Sequence, residues 1–200
     1  MSSKLLIPLF ALAILLSACS STVITEEERE VPTEDKKMEE STFTGTLNEN
    51  VSKSFIAFTG TKGEIVSHEC QFNEFTTSVN FVEGKPVSLE ATIQIDSLET
   101  ESEGLTKHLL SPDFFESETY GTATFVSSDI TMLDNDSYAV TGMLTIKDVS
   151  TEVVITMNIT EDYVQAKYTL DRTEYNVGGP ADSIKAPNAE ILIELKVELQ

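Results

Sequence analysis

From Thr42 onward the chain alternates apolar and polar residues with a period of two. In "SLEATIQID", Leu89, Ala91, Ile93 and Ile95 alternate with Ser88, Glu90, Thr92, Gln94 and Asp96, which sets one row against a core and the other in water. The same spacing recurs in Tyr138, Val140, Gly142, Leu144 and Ile146, in Val153, Ile155, Met157 and Ile159, and in Val164, Ala166, Tyr168 and Leu170. The last run is the clearest: Ile191, Ile193, Leu195, Val197 and Leu199 face one way, with Glu194, Lys196 and Glu198 opposite. "KSFIAFTG" and "FNEFTTSVNF" are weaker members, and "EGKP", "LDNDS" and "TED" supply turns. Seven or eight such strands with short connections predict an all-β chain whose antiparallel sheet must close or fold over itself. A closed barrel of about eight strands removes exposed edges and is preferred to a sandwich.

Two segments break the alternation. "LTKHLLSPDFFES", within a predicted short helical segment near residues 103–116, places a His, a Pro and a Phe pair in one island. "DRTEYNVGGPADSIKAPNAE" is too long and too rich in Gly, Pro and Asn for a hairpin turn. Long connections in compact domains often carry function, so the two segments are candidate parts of one site.

Residues 1–18 carry Lys4, an apolar stretch "LLIPLFALAILL" and small residues ahead of Cys19, the pattern of a signal peptide. "LSAC" resembles the bacterial lipobox, which implies lipidation of Cys19 with acyl chains such as palmitate and a membrane tether. Residues 19–41 are acidic and poor in large apolar groups, a flexible spacer ahead of a domain at 42–200. With Cys19 lipidated, Cys70 has no partner for an intramolecular disulfide. Ser20, rather than an Asp, follows the lipobox Cys, which points to an outer-membrane lipoprotein facing the periplasm or the cell surface.

The formal net charge of -21, from 34 acidic and 13 basic residues, disfavours nucleic acid as a partner. Catalytic chemistry is sparse: the sequence has no nucleophile elbow, no phosphate-cradling Gly-rich loop and two His in all. No enzymatic activity, cofactor or metal is expected.

"FTGTKGEIVSHECQF", "HLLSPDFFESETYGTATF", "YAVTGMLTIKDVSTEV" and "LDRTEYNV" occur in the order seen in the YceI-like family of bacterial periplasmic proteins, which the region from about Thr42 to Gln200 resembles. The resemblance implies a lipocalin-like, extended antiparallel β-barrel holding a long isoprenoid (a quinone, polyprenol or prenyl phosphate) in an apolar tunnel, as a monomer or homodimer. Leu105 and Thr106 stand where family members often carry Arg-Asp, and Cys70 stands at the place of a frequent Gly.

The candidate ligand-binding residues are Phe58, His108, Phe114, Phe115 and Arg172. The Phe pair either lines a tunnel mouth or plugs the barrel end. His108 either meets a polar head group or caps a helix end. Arg172 either pairs with a phosphate or with an acid near the rim. His68 and Cys70 share a strand face, as half of a metal site or as an imidazole-activated thiol, although burial is the commoner fate of a lone Cys. An apolar inward row fits a filled core as well as a cavity, so the rival reading is a packed envelope lipoprotein with no lipid ligand.

Overall fold

The computed structural model describes residues 41–200 except 65, 134 and 182–185. The expected signal peptide, the expected lipidation site at Cys19 and residues 19–40 of the expected spacer lie outside these described residues. The described residues form eleven strands rather than about eight: β1 (Gly45–Asn48), β2 (Phe55–Lys62), β3 (Val66–Phe72), β4 (Phe75–Val82), β5 (Lys85–Gln94), β6 (Leu98–Thr100), β7 (Thr122–Met132), β8 (Tyr138–Ile146), β9 (Val149–Ile159), β10 (Tyr163–Asp171) and β11 (Glu190–Glu198). They make one curled sheet in the order β1-β4-β5-β7-β8-β9-β10-β11-β2-β3-β6, and every pairing is antiparallel.

The sheet curls into a half-barrel joined at one end only. There β1 pairs with β4 on one side, while Glu49 just beyond it bridges Leu199 just beyond β11. At the other end of β11 lie both interruptions of the alternation. One is the helix α1 (Glu103–Leu110), with Ser102 accepting from the Leu105 amide at its start and Ser111, then Pro112, ending it. The other begins as a 3-10 turn, Arg172–Tyr175, ended by Asn176 in the left-handed region at φ 55.

Four strands escape the period-two signal for identifiable reasons. β1 and β6 are four and three residues long. In β7 a register shift between Ser127 and Asp129 breaks the alternation after Phe125. In β3 the inward row includes His68 and Cys70, so it does not read as apolar. The β4–β5 turn is tighter than "EGKP" suggests: Glu83 and Gly84 alone turn, both at positive φ, and Pro86 already lies in β5 at a bulge opposite Phe81.

Candidate functional site

The inward rows do not fill the interior. Ile93, Leu144, Ile193 and Leu195 point inward yet remain only half-buried, because each packs against the core on one side and lines empty space on another. Three cavities follow one another along β11. The mouth cavity, about 240 Å³, is lined by Phe58, Gly60, Leu105, His108, Phe114, Phe115, Arg172, Val177 and Ile191, among others. A middle cavity of about 90 Å³ shares Phe58, Phe115, Arg172, Val177 and Ile191 with it. A deep cavity of about 110 Å³ shares Ile56, Ile93, Leu144 and Ile193 with the middle one and ends among Thr77, Leu89, Val164 and Val197.

Alternate residues of β11 mark the path. Ile191 faces the mouth and middle, Ile193 the middle and deep cavities, and Leu195 and Val197 the deep cavity. Its partner β2 runs the other way, with Phe58 opposite Ile193 and Ile56 opposite Leu195. Six residues of strand separate Ile191 from Val197, a path of roughly 20 Å. The arrangement is a line of three apolar cavities running from the α1 end into the sheet, divided by two rings of shared side chains, a segmented tunnel in outline.

Both interruptions reach this mouth, as their shared irregularity predicts. Phe115 is 7 % exposed and packs edge-on against Phe58 and Phe72, at ring separations of 6.1 and 6.0 Å. Phe114 is half-buried and meets the His108 ring edge-on at 5.0 Å. A Cβ on Gly178 would fall 2.5 Å from Phe114 Cε1, so Gly178, at φ 75, makes room for that ring. The two phenylalanines therefore divide the alternatives: Phe115 is core and channel wall together, and Phe114 faces the mouth.

Of the polar residues of the mouth, Arg172 and His68 are already engaged, while Lys62 is exposed at its rim. Arg172 is 3 % exposed, and its guanidinium donates to carbonyl oxygens: Nε to Asn188, Nη1 to Val177 and Gly179, Nη2 to Pro187, at 2.5–2.8 Å. Neither role expected for it, a phosphate ligand or a rim ion pair, is the contact that holds it. It organises the β10–β11 connection, and burial pulls its affinity for the proton below the ordinary arginine value. His108 does not cap its helix, since the Ser111 amide and hydroxyl donate to the His108 carbonyl. Its Nδ1 lies 3.8 Å from Asp113. His68 is bonded to Glu101, which holds that carboxyl below the usual carboxylate range.

Cys70 shares the mouth-facing side of β3 with His68, but burial, reinforced by the Glu101 charge, pushes its thiol up to about 12. A thiol so protonated is neither nucleophile nor metal ligand near neutral pH. Among the described residues no group of three His, Cys, Asp or Glu could hold a metal ion.

Sequence reasoning overlooked Lys147. It occupies the β8–β9 turn, its side chain only 9 % exposed. A single Lys between two strands carries no sequence signal that separates it from a solvated turn residue.

A family model for the YceI-like domain matches residues 36–200. The chain belongs to this family. The UPF0312 protein of Photorhabdus laumondii is 36% identical over 86 residues, covering 42% of this chain and 44% of the relative. A UPF0312 protein of Pseudomonas aeruginosa is 36% identical over 87 residues, covering 42% and 45%. Each match spans less than half the length of these curated relatives. Among solved structures, this YceI-like chain resembles BcnA of Burkholderia cenocepacia, with 25% identity and a TM-score of 0.69 over 75% of this chain and 98% of that one. A polyisoprenoid binding domain from Saccharophagus degradans shares the fold, with a TM-score of 0.59 and 10% identity over 79% of this chain and 99% of the other. The YceI-like fold and the tunnel thus coincide in one chain.

Proposed function

We propose that this protein binds, carries or sequesters an amphiphilic isoprenoid-type lipid, with the chain in the tunnel and a neutral polar end, such as a quinone ring or an alcohol, at the mouth. The observation that carries this reading is the inward row of β11, in which Ile191, Ile193 and Leu195 are half-buried and line three successive cavities that end at the buried Val197. Burying one isoprene-sized unit there contributes about 2–4 kcal/mol, so a chain of several units is held without specific polar contacts. The fold shared with a polyisoprenoid binding domain supports the same ligand class.

The neutral end follows from electrostatics. The Arg172 guanidinium is engaged by backbone carbonyls and His68 by Glu101, and the chain as a whole carries -21. A diphosphate would meet long-range repulsion from the whole chain, with the exposed Lys62 at the mouth rim as the open cation to set against it. The signal peptide and lipobox support a lipid-anchored envelope location, where such lipids are found. The absence of a recognisable catalytic constellation in the sequence favours a binding role over an enzymatic one.

The test is a titration of the purified protein with a dansyl-labelled farnesyl alcohol, whose signal is clean because the chain has no Trp. Saturable binding at one site per chain, competed by unlabelled farnesol, is expected. No saturable binding of this or longer isoprenoids would overturn the proposal and favour a packed structural role.

A further inference from the structure

The mouth and middle cavities are separated by a ring of five shared residues: Phe58, Phe115, Arg172, Val177 and Ile191. Phe58 and Ile191 belong to strands β2 and β11 and are fixed by the sheet. Arg172 and Val177 are fixed by the guanidinium network. Phe115 alone of the five sits on the segment Ser111–Gly121, which lies outside the strands and is bonded across to the sheet through its last residue, where the Ile95 amide donates to the Gly121 carbonyl. The Phe115 amide donates to Leu109 and the Ser117 amide to Leu110, so the first part of the segment is tied to the end of α1 and its middle carries no backbone bond to a strand among the described residues.

Besides the packing of Phe115 and the bond at Gly121, one cation joins the middle of this segment to the neighbouring turns. Lys147 Nζ donates to the Phe114 carbonyl at 3.1 Å and to the Asn176 carbonyl at 3.3 Å, lies 3.7 Å from a Glu116 carboxylate oxygen, and sits 5.5 Å from the Tyr120 ring centre. Two of its three N–H donors are bonded to the carbonyl oxygens, and the Glu116 carboxylate balances the charge as an ion pair. The ammonium thus joins the β8–β9 turn, the Phe115 segment and the turn after Arg172 at one point. Lys147 reaches it from a backbone at φ 56, and Glu116 receives it from φ 53, both unfavourable for residues with a Cβ. A turn residue with no more than a solvent role would have no reason to bury a charge there.

We propose that Lys147 is the latch of a kinetic gate: its ammonium holds the Ser111–Gly121 segment so that Phe115 stays across the tunnel, and the segment lifts when a lipid passes. The inference rests on the lipid-binding reading of the tunnel and assigns Lys147 as a positioning residue. It touches the segment and not the ligand, so it sets rates of uptake and release more than affinity. Shifting a minor open state speeds passage in both directions, while the dominant closed state keeps the same contacts to the lipid.

The experiment is stopped-flow exchange of the dansyl-labelled farnesyl alcohol, chased with farnesol, in the wild type, Lys147→Met, Lys147→Arg, Phe115→Ala and the Lys147→Met/Phe115→Ala double variant. Lys147→Met should raise association and dissociation rates at least tenfold with Kd changed less than about threefold, and Lys147→Arg should stay nearer the wild type. In the Phe115→Ala background, where the ring is gone, Lys147→Met should add less than twofold. Unchanged exchange in Lys147→Met, or an equal acceleration in both backgrounds, would overturn the latch while leaving lipid binding intact. Failure of the probe to bind any variant, the wild type included, would instead overturn the lipid-binding reading and the latch with it. Hydrogen exchange on the wild type needs no variant to fold. The Phe115 and Ser117 amides should exchange by local opening at least tenfold faster than the β11 amides, and exchange at the global unfolding rate would exclude a gate.

Discussion

Arg172 Nη1 donates to the carbonyl oxygen of Val177, five residues further along, at 2.5 Å. The bond closes the first half of the β10–β11 connection, while Nε and Nη2 reach Asn188 and Pro187 in its second half. One guanidinium thus holds both arms of a connection that has little regular structure of its own. Removing it leaves several buried carbonyls without donors, at a cost of about 2–4 kcal/mol. Arg172→Met should lower the melting temperature by roughly 5–15 °C in calorimetry, and Arg172→Lys should recover only part, since an ammonium cannot reproduce the planar fork. An unchanged melting temperature with lost binding of a prenyl diphosphate would reassign Arg172 to the ligand.

Cys70 links stability to alkaline pH. Its folded thiol is pushed up to about 12 from a value of 9.0 by burial, with Glu101 adding to the shift. The unfolded thiol therefore ionises first, and between about pH 9 and pH 12 the folded state binds more protons than the unfolded state. The stabilisation is fully present below pH 9 and is lost as pH rises toward 12. Denaturant titrations should show stability falling across that window in the wild type and falling less in Cys70→Ala. Equal slopes would mean that the thiol is accessible. In the folded protein at pH 8, iodoacetamide should modify Cys70 far more slowly than in denaturant.

How much of this was legible in the sequence follows from what alternation encodes. The row Ile191, Ile193, Leu195, Val197 gave the strand and its inward face directly, because a one-residue slip would turn every side chain outward. That the same row lines a void could not be read, since Ile193 facing Ile56 and Leu144 across space has the same pattern as Ile193 packed on them. The two irregular segments were recognisable as one site because neither fits a hairpin. Their internal roles were not, because an arginine bonded to backbone carbonyls and a lysine clasping a carbonyl depend on chain paths that side-chain types do not specify. β7 was missed where its bulge shifts the period.

Ala91 lines the deep cavity on β5, opposite Thr77 on β4. Ala91→Phe should fill that space with little loss of stability, because the void offers room before packing strain develops. Binding of a C20 isoprenoid alcohol should weaken at least tenfold, while a C10 alcohol, held nearer the mouth, keeps its affinity. Equal losses for both would show that the deep cavity is not the far end of a continuous tunnel.

Salt discriminates the head group. With a net charge of -21, the protein repels an anionic ligand at long range, and that repulsion weakens as ionic strength rises. Between about 20 and 500 mM NaCl, over which the Debye length falls about fivefold, the Kd for geranylgeraniol should stay nearly flat and that for geranylgeranyl diphosphate should fall. Tightest binding of the diphosphate at low salt would contradict the neutral-ligand reading.

The most direct measurement of the central claim is native mass spectrometry of the purified protein, followed by extraction and identification of whatever dissociates. The tunnel along β11 predicts one hydrophobic molecule of isoprenoid type per chain, or its stoichiometric uptake from added polyprenol or quinone. A chain that is reproducibly empty and takes up neither would contradict the account.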